Sequence, residues 1–349
     1  MDEFKRNFDK LVSESKSIMI CSHIRPDSDA ITSLLSVYKY LSLKYSGKSL
    51  YPVFEGIAPV SEFGEITGFK DLKWSDNLVL EYIPKVDLAI FVDGSTVDRF
   101  TYNANSFSDL NIKTICIDHH KKEGDFHTIE LIDTSMASTT QLLADRVIEE
   151  ECWTHEIIEL LMIGLIGDTG HFTFIRHNNS SALITAKRLV DKGNLDLEEF
   201  KLRSERYGID SFRVFKEVIK HSQVVKIQDN CPLVTYSYVT KKFVSEFPDS
   251  TLIKNRKFLA MLKEVKGSGW GFYVRPIESQ IGHFEINFRS TSKNPNVRLI
   301  CEMYFSGGGH DRASGGRYIL KNGEENWDTD QVCNKIIDIL SKAEITFLD

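Results

Sequence analysis

Four short segments of the chain combine acidic residues with histidines or glycines. They are His23-Ile24-Arg25-Pro26-Asp27-Ser28-Asp29, Val92-Asp93-Gly94, Asp118-His119-His120 and Gly167-Asp168-Thr169-Gly170. Carboxylate oxygens and imidazole nitrogens, without a thiolate, favour manganese or a similar hard divalent ion over structural zinc. The segments supply more ligands than one ion needs, so they predict two ions that share a carboxylate. Such a pair suits in-line attack of water at phosphorus.

Each segment also has an ordinary structural explanation when it is taken alone. Pro26-Asp27-Ser28-Asp29 has the composition of a solvated turn. Asp93 and Asp168 could each cap a turn beside a neighbouring glycine, and Asp118-His119-His120 could be a polar strand end that caps a helix. The chemical interpretation therefore depends on whether the fold brings the four segments together.

Apolar runs of strand length stand directly before three of these segments. The pattern predicts strands at residues 17–21, 50–54, 86–92 and 112–117, and helices at 1–16, 33–43, from about 140, 154–166 and 180–192. Alternating strands and helices indicate a parallel α/β sheet, whose ligands bind at the carboxyl ends of its strands. Asp93 and Asp118 would therefore meet at that edge. Residues 55–85 contain several loop-forming glycines and are harder to place.

The pattern changes in the second half of the chain. It predicts helices at residues 196–221, 252–265 and 329–342, strands at 232–239, 270–274, 284–288 and 316–320, and a glycine loop at 307–310. We therefore predict an α/β fold in two domains: a parallel-sheet domain at residues 1–195, a helical linker at 196–225 and a smaller α/β domain at 226–349.

The smaller predicted domain has its own polar set. Arg289-Ser290 ends a strand, and Gly307-Gly308-Gly309-His310 precedes Arg312. Backbone N–H groups in a glycine turn can bind a phosphate or a carboxylate, and the neighbouring cation and imidazole would assist. A hinge or a tight hairpin explains the three glycines equally well.

Composition excludes several classes of protein. The 349 residues are 42% hydrophobic and 27% charged, with a net charge of −7, so we do not expect binding to long duplex DNA. Six cysteines without a CxxC pair indicate buried thiols in a reducing compartment. The N-terminus has no apolar core of a signal peptide, and no run of 18 apolar residues is present, so we predict a cytoplasmic protein without membrane contact.

The order of the motifs resembles that of the DHH phosphoesterases. His23-x-x-Pro26-Asp27-x-Asp29-Ala30, Asp93, Asp118-His119-His120, Asp168-Thr169-Gly170 and Gly307-Gly308-Gly309-His310 follow one another as they do in that family. The resemblance extends from about residue 17 to about residue 320. It is greatest to two-domain members of the nanoRNase/pAp-phosphatase type. It implies a metal-dependent phosphoesterase with an active-site cleft between a DHH domain and a DHH-associated domain.

The resemblance also implies a role for each site residue. The ligands of one manganese ion would be His23, Asp27, Asp93 and Asp168. The ligands of the second would be Asp29, Asp93 and His119, with Asp93 bridging, and Mg²⁺ or Co²⁺ could replace manganese. Asp118 would orient a histidine, and His120 would face the scissile phosphate or protonate the leaving oxygen. The substrate contacts would be Ser138, Arg289, Ser290, Gly308, Gly309 and His310.

Three positions depart from the family pattern. Thr32 stands where a glycine is usual, Gly167 where a threonine is frequent, and Ser306 where the glycine run often begins. None of the three removes an expected ligand, so we expect the activity to be retained. The departure at Ser306 concerns the contacts between the substrate and the second domain, which the motifs define less closely than the metal ligands.

The resemblance implies hydrolysis of short oligoribonucleotides, such as nanoRNA and dinucleotides, to mononucleotides, and of pAp to AMP. The alternatives of the same class are a cyclic-di-AMP phosphodiesterase, a pyrophosphatase and a RecJ-type nuclease. An alternative of another class is a nucleotide-binding regulatory protein without turnover. The expected partners are short single-stranded RNA or a small nucleotide, and a homodimer is an expectation of the family.

Overall fold

The computed structural model describes residues 3–104, 112–122, 124, 127–198, 200, 209–247, 256–277 and 280–349. It divides into two units, Met1–Glu205 and Arg206–Asp349. The predicted linker at 196–225 includes residues 199 and 201–208, which lie outside the described residues, so its limits stay a prediction. Within the described part of the chain, every helix is too short or too polar to cross a bilayer.

A parallel sheet forms the centre of the first unit. Its strands are β1 Ser17–Cys21, β2 Ser49–Glu55, β3 Lys73–Ser75, β4 Leu88–Val92, β5 Lys113–Asp118 and β6 Ile129–Ile132. The strand order is β3-β2-β1-β4-β5-β6, and each neighbouring pair is parallel. The predicted parallel sheet is thus confirmed. The order reverses between β1 and β4, and ligands bind at such a switch point in open α/β sheets.

Helices cover the sheet and contribute to a common core. Their bounds are Glu3–Glu14, Ser28–Lys44, Thr139–Arg146, His155–Thr169 and Ser181–Gly193, with single turns at Val60–Phe63, Leu78–Glu81 and Val97–Phe100. The helix Ser28–Lys44 begins five residues before the predicted start, because the Asp27 carboxylate accepts a hydrogen bond from the N–H of Ala30. Asp29 therefore lies in the first helical turn. Thr32 is buried in this helix, and its hydroxyl donates to Ser28 O at 2.8 Å.

A mixed sheet forms the centre of the second unit. Its strands are β7 Gln223–Val225, β8 Val234–Tyr238, β9 Trp270–Pro276, β10 His283–Ser290, β11 Gly308–His310 and β12 Ala313–Ile319. The order is β11-β12-β10-β9-β8-β7, and only β8 and β9 are parallel among the described pairs. The helices are Ile209–Lys220, Lys241–Glu246, Arg256–Met261, Val297–Tyr304 and Thr329–Lys342. Part of the predicted helix at 252–265, residues 252–255, lies outside the described residues.

The glycine segment is a strand and not the predicted loop. Residues Gly308–His310 pair with Ala313–Gly315 as a tight hairpin, which was the alternative explanation of the glycines. A Cβ atom at Gly307 would overlap the carbonyl oxygen of Gly315, so the close approach of the two backbones requires glycine there. Sequence patterns also missed β3, β6 and β7, which are only three or four residues long, and the helix Val297–Tyr304, which has eight residues.

Candidate metal centre

The carboxyl ends of three adjacent strands position most of the candidate ligands. In the register of the sheet, Cys21 of β1 is opposite Phe91 of β4, which is opposite Cys116 of β5. His23 follows β1 and Asp93 follows β4, while Asp118 is the last residue of β5. The fold thus brings the candidates together at one edge, as the sequence predicts.

His23, Asp27 and Asp93 form one group of potential ligands. One donor atom from each lies within 4.8 Å of the others. His23 Nε2 is 3.5 Å from Asp93 Oδ2 and 4.0 Å from Asp27 Oδ1. The other ring nitrogen, Nδ1, is 2.9 Å from Ile24 O, and this contact fixes the ring with Nε2 toward the carboxylates.

The loop that carries this group differs from expectation in one detail. Pro26 predicts an extended conformation for Arg25, but Arg25 has a φ of 56°. The left-handed conformation avoids the right-handed region that Pro26 disfavours and still turns the chain sharply. The N–H of Ile24 donates to Arg99 O at 2.7 Å and so anchors the loop.

Asp29, His119 and Asp168 form a second group of potential ligands. Here too, one donor atom from each residue lies within 4.8 Å of the others. His119 Nε2 is 3.1 Å from Asp168 Oδ2 and 3.7 Å from Asp93 Oδ1. His119 Nδ1 lies 3.4 Å from the carbonyl oxygen of Met136. The geometry thus groups Asp168 with the ligands expected for the second ion, whereas the family resemblance assigns it to the first.

Asp93, His119 and His120 form a third group, which overlaps the other two. Asp118 is fully buried, and its Oδ1 is 2.8 Å from His120 Nδ1 and accepts the His120 N–H at 3.1 Å. This pair holds the imidazole of His120, whose side chain is 40% exposed. The hydrogen bonds from His120 to Asp118 thus restrain the ring of this histidine.

The first residues of the helix Thr139–Arg146 donate hydrogen bonds to two of the acids. Asp29 accepts hydrogen bonds from the N–H groups of Thr139 at 2.7 Å and Thr140 at 3.1 Å, and from the Thr140 hydroxyl at 2.7 Å. The Thr139 hydroxyl donates to Asp93 Oδ1 at 2.9 Å. A helix N-terminus favours negative charge, so these donors stabilise both carboxylates.

The helix His155–Thr169 packs closely against Asp29 and Thr140. Asp168 lies in its last turn, not in a loop after it. A Cβ atom at Gly164 would be 2.5 Å from Asp29 Oδ1 and 2.6 Å from Thr140 Oγ1. A Cβ atom at Gly167, where the family often has threonine, would overlap the hydroxyl of Ser28.

Burial and mutual charge raise the pKa values of two acids of the centre and lower that of a third. Burial raises the pKa of Asp29 well above its ordinary value, and the carboxylates of Asp168 and Asp93 raise it further. Burial also raises the pKa of Asp168. Burial would raise the pKa of Asp93 as well, but the hydrogen bond to His23 and the positive charge of the histidines lower it overall.

The same charges shift the pKa of His119. Burial opposes the charged imidazole of His119, yet Asp168, Asp29 and Asp93 raise its pKa to about 10. The pKa of His23 is also raised, because Asp93 outweighs burial. Several buried negative charges thus require positive charge beside them, from protons on the histidines or from cations.

The donors fit divalent cations. His119 Nε2 and Asp118 Oδ2 are buried and have no hydrogen-bond partner within the described residues, although His119 Nε2 is close to two carboxylates. A buried nitrogen that faces carboxylates without an aligned hydrogen bond is the arrangement of a metal ligand. Three overlapping groups of oxygen and nitrogen donors suit hard divalent ions rather than structural zinc.

The other predicted substrate residues have mixed environments. Ser138 is fully buried, and its hydroxyl accepts the N–H of Gln141 at 3.0 Å as a helix cap, so the geometry does not support a substrate contact. In the second unit, Arg289 is partly buried, and burial lowers the pKa of its guanidinium. Ser290 is buried at the end of β10, while Gly308, Gly309 and His310 are exposed on the hairpin.

Sequence reasoning missed the residues that support the ligands. Thr140 and Gly164 contact Asp29, and the backbone of Met136 lies beside His119. The available signal was the polar segment before the helix at 139, which predicts an N-terminus of a helix. Its partner could not be identified, because Asp29 and Thr139 are 110 positions apart in the sequence.

Comparison with known proteins agrees with this arrangement. Residues 17–165 match the N-terminal domain of the DHH family. The chain is 26% identical to the bifunctional oligoribonuclease and PAP phosphatase NrnA of Thermus thermophilus, over 94% of this chain and 90% of that protein. It is 25% identical to the NrnA of Bacillus subtilis, over 88% of this chain and 90% of that protein.

The fold has a counterpart among solved structures. An exopolyphosphatase-related protein from Bacteroides fragilis superposes with a TM-score of 0.77 at 23% identity, over 97% of this chain and 96% of that chain. The matched domain contains His23, Asp93 and the Asp118-His119-His120 motif, and the structure brings them together with Asp168. Residues 17–165 of the chain are therefore similar to the N-terminal domain of the DHH family, and this part of the chain carries most of the candidate ligands.

Proposed function

We propose that the protein is a manganese-dependent phosphoesterase that hydrolyses short oligoribonucleotides to mononucleotides, and pAp to AMP. The observation that carries the proposal is the overlap of three ligand groups through Asp93 and His119, which suits two adjacent ions. The names of the relatives from Thermus thermophilus and Bacillus subtilis support these substrates. The net charge of −7 agrees with small ligands rather than long strands.

The residues of the three groups would hold the two ions. One would be held by His23, Asp27 and Asp93, and the other by Asp29, His119 and Asp168, with Asp93 able to contribute to both. When bound there, two divalent ions would supply an activated water and would neutralise charge that develops on the phosphoryl oxygens. Thr139 and Thr140 keep Asp93 and Asp29 oriented for this purpose.

His120 is the group best placed to act on the substrate. Its Nδ1 is held by Asp118, and its side chain is the most exposed of the three site histidines. Nε2 is therefore the nitrogen that contacts the scissile phosphate or donates a proton to the leaving oxygen. We further propose Arg289, Ser290, Gly308, Gly309 and His310 as contacts for the rest of the nucleotide.

The test is a parallel assay of purified protein with manganese against pApA, pAp and cyclic-di-AMP. Release of AMP from pApA and pAp, with the cyclic compound intact, is the expected result. Preferential opening of the ring would instead assign the enzyme to cyclic-dinucleotide degradation. Thermal stabilisation by manganese without any product would favour the regulatory protein that binds nucleotides.

Two variants make this test specific to the metal centre. D93N removes the shared carboxylate charge and is expected to abolish turnover, while the protein stays folded. D98N removes an exposed carboxylate on the single turn Val97–Phe100 and is expected to retain full activity. Full activity of D93N would contradict the assignment of the centre.

A further inference from the structure

Three consecutive residues with a left-handed backbone follow the helix that carries Asp168. Gly170, His171 and Phe172 have φ values of 53°, 56° and 66°. Residues other than glycine rarely adopt this conformation, and it persists only where surrounding contacts impose it, often at functional sites. The turn is therefore a constrained element directly beside the metal centre.

Thr169 provides contacts that impose this conformation. It is buried, and its hydroxyl donates to Leu165 O at 2.6 Å and accepts the N–H of Phe172 at 3.1 Å. The Thr169 carbonyl accepts the N–H of Phe174 at 2.9 Å. Because Thr169 follows Asp168 immediately, these bonds fix the backbone of Phe174 relative to a candidate metal ligand.

The turn presents the ring of Phe174 to solvent. The residue is 60% exposed, although phenylalanine is usually buried. A Cβ atom at Gly170 would overlap the ring carbon Cε2, so the ring packs on the bare Cα of that glycine. The Cα atoms of Gly170 and Asp168 are at most ~7.6 Å apart, since two peptide units of ~3.8 Å separate them.

We infer that Phe174 is a stacking platform for a nucleobase of the substrate, an inference that rests on the proposed function. Nucleobases stack on exposed aromatic rings with little regard to sequence. The centre beside the ring would bind the phosphoester, and a flat apolar ring complements the base attached to the same nucleotide. A rigid backbone under the ring reduces the ordering that binding would require.

Binding is measured with a phosphorothioate-linked dinucleotide that contains 2-aminopurine, in the presence of Mg²⁺. Fluorescence of this base falls when it stacks on an aromatic ring. F174A is expected to raise the Kd by about 5-fold to 150-fold and to abolish the quenching. F174Y keeps the ring and is expected to retain both properties. L183A is the matched control, because it truncates another exposed apolar side chain.

Turnover gives a second readout of the same inference. The wild type is expected to prefer pApA over analogues with an abasic site at either position, and F174A is expected to reduce that preference through KM. Equal affinity and quenching in F174A and wild type would overturn the inference. So would an absence of quenching in the wild type, or a change of oligomeric state in F174A without a change in Kd.

The binding assay separates this inference from the proposed function. A wild type that quenches the fluorescent base through Phe174 but hydrolyses none of the three substrates contradicts the proposed function alone. Hydrolysis of pApA that is unaffected in F174A, with unaltered binding, contradicts the stacking platform alone.

Discussion

The hydroxyl of Thr139 donates a hydrogen bond of 2.9 Å to Oδ1 of Asp93. The backbone N–H of the same residue donates to Asp29 Oδ2 at 2.7 Å. Thr139 thus connects Asp93, which belongs to two of the ligand groups, with Asp29, which belongs to the group that contains Asp168. Both acids are buried, so a lost donor cannot easily be replaced by water.

The first prediction concerns this hydroxyl. T139V keeps the N–H to Asp29 and the size of the side chain but removes the donor to Asp93. We expect about 10-fold to 100-fold weaker manganese binding or activity, the usual effect of losing a partner that orients a ligand. Titration of activity with manganese measures it. T139S retains the hydroxyl and should stay close to wild type; an equal loss in T139S would contradict this explanation.

The second prediction concerns the packing of the helix that carries Asp168. G164A places a methyl group 2.5 Å from Asp29 Oδ1 and 2.6 Å from Thr140 Oγ1, atoms that hydrogen bonds hold in place. We expect it to lower the free energy of unfolding by about 1–3 kcal/mol, as overpacking does, and to reduce activity because Asp29 shifts. Urea unfolding and manganese-dependent turnover measure the two effects.

Gly167 provides the matched comparison. Its added methyl would meet the side chain of Ser28 alone, with the hydroxyl oxygen at 2.0 Å and Cβ at 3.1 Å. G167A should therefore be impaired less than G164A, and the double variant S28A/G167A should recover most of the loss. A double variant no better than G167A would show that Ser28 is not the obstacle.

The third prediction concerns stability at mildly acidic pH. Burial lowers the pKa of His127 to about 4, and its Nε2 lies 3.3 Å from Ser95 O. The unfolded imidazole binds a proton below about pH 6.5, whereas the folded one stays neutral until about pH 4. Stability from this group is therefore complete above pH 6.5 and is lost as the pH falls toward 4, by up to about 3 kcal/mol.

Removal of this imidazole should flatten the pH profile. H127Q is expected to lose less stability than the wild type between pH 7 and pH 4.5 in urea unfolding. H155Q, which replaces an exposed histidine, controls for the loss of an imidazole at the surface. Parallel profiles for wild type and H127Q would show that His127 does not contribute to the slope.

The fourth prediction concerns a buried carboxylate at the end of β2. Glu55 accepts hydrogen bonds from the N–H groups of Leu78 and Tyr102 and from the Thr101 hydroxyl, at 2.7–2.8 Å. E55Q replaces one acceptor oxygen with a donor, which then faces a donor. We expect about 1.5–3 kcal/mol lower stability in urea unfolding. E81Q, at an exposed glutamate, should leave the midpoint of urea unfolding unchanged. An unchanged midpoint in E55Q would show that the hydrogen bonds of Glu55 do not stabilise the fold.

Strands β1, β4 and β5, and the candidate ligands that follow them, were predictable from the sequence alone. Apolar runs that end in polar residues are local patterns, and parallel strands place their carboxyl ends at one edge. The identity of His23, Asp93 and His119 as members of one centre followed from that rule together with the family resemblance.

The grouping of these residues and the hydrogen bonds that hold them depend on the tertiary fold. Asp168 lies near Asp29 and His119. The reason is that its helix, His155–Thr169, packs at Gly164 against Asp29 and Thr140. The constraint on Phe174 and the hairpin of Gly308–His310 likewise became visible only in the fold. Distances across a folded chain depend on packing between residues far apart in sequence, and local patterns of hydrophobicity do not contain that information.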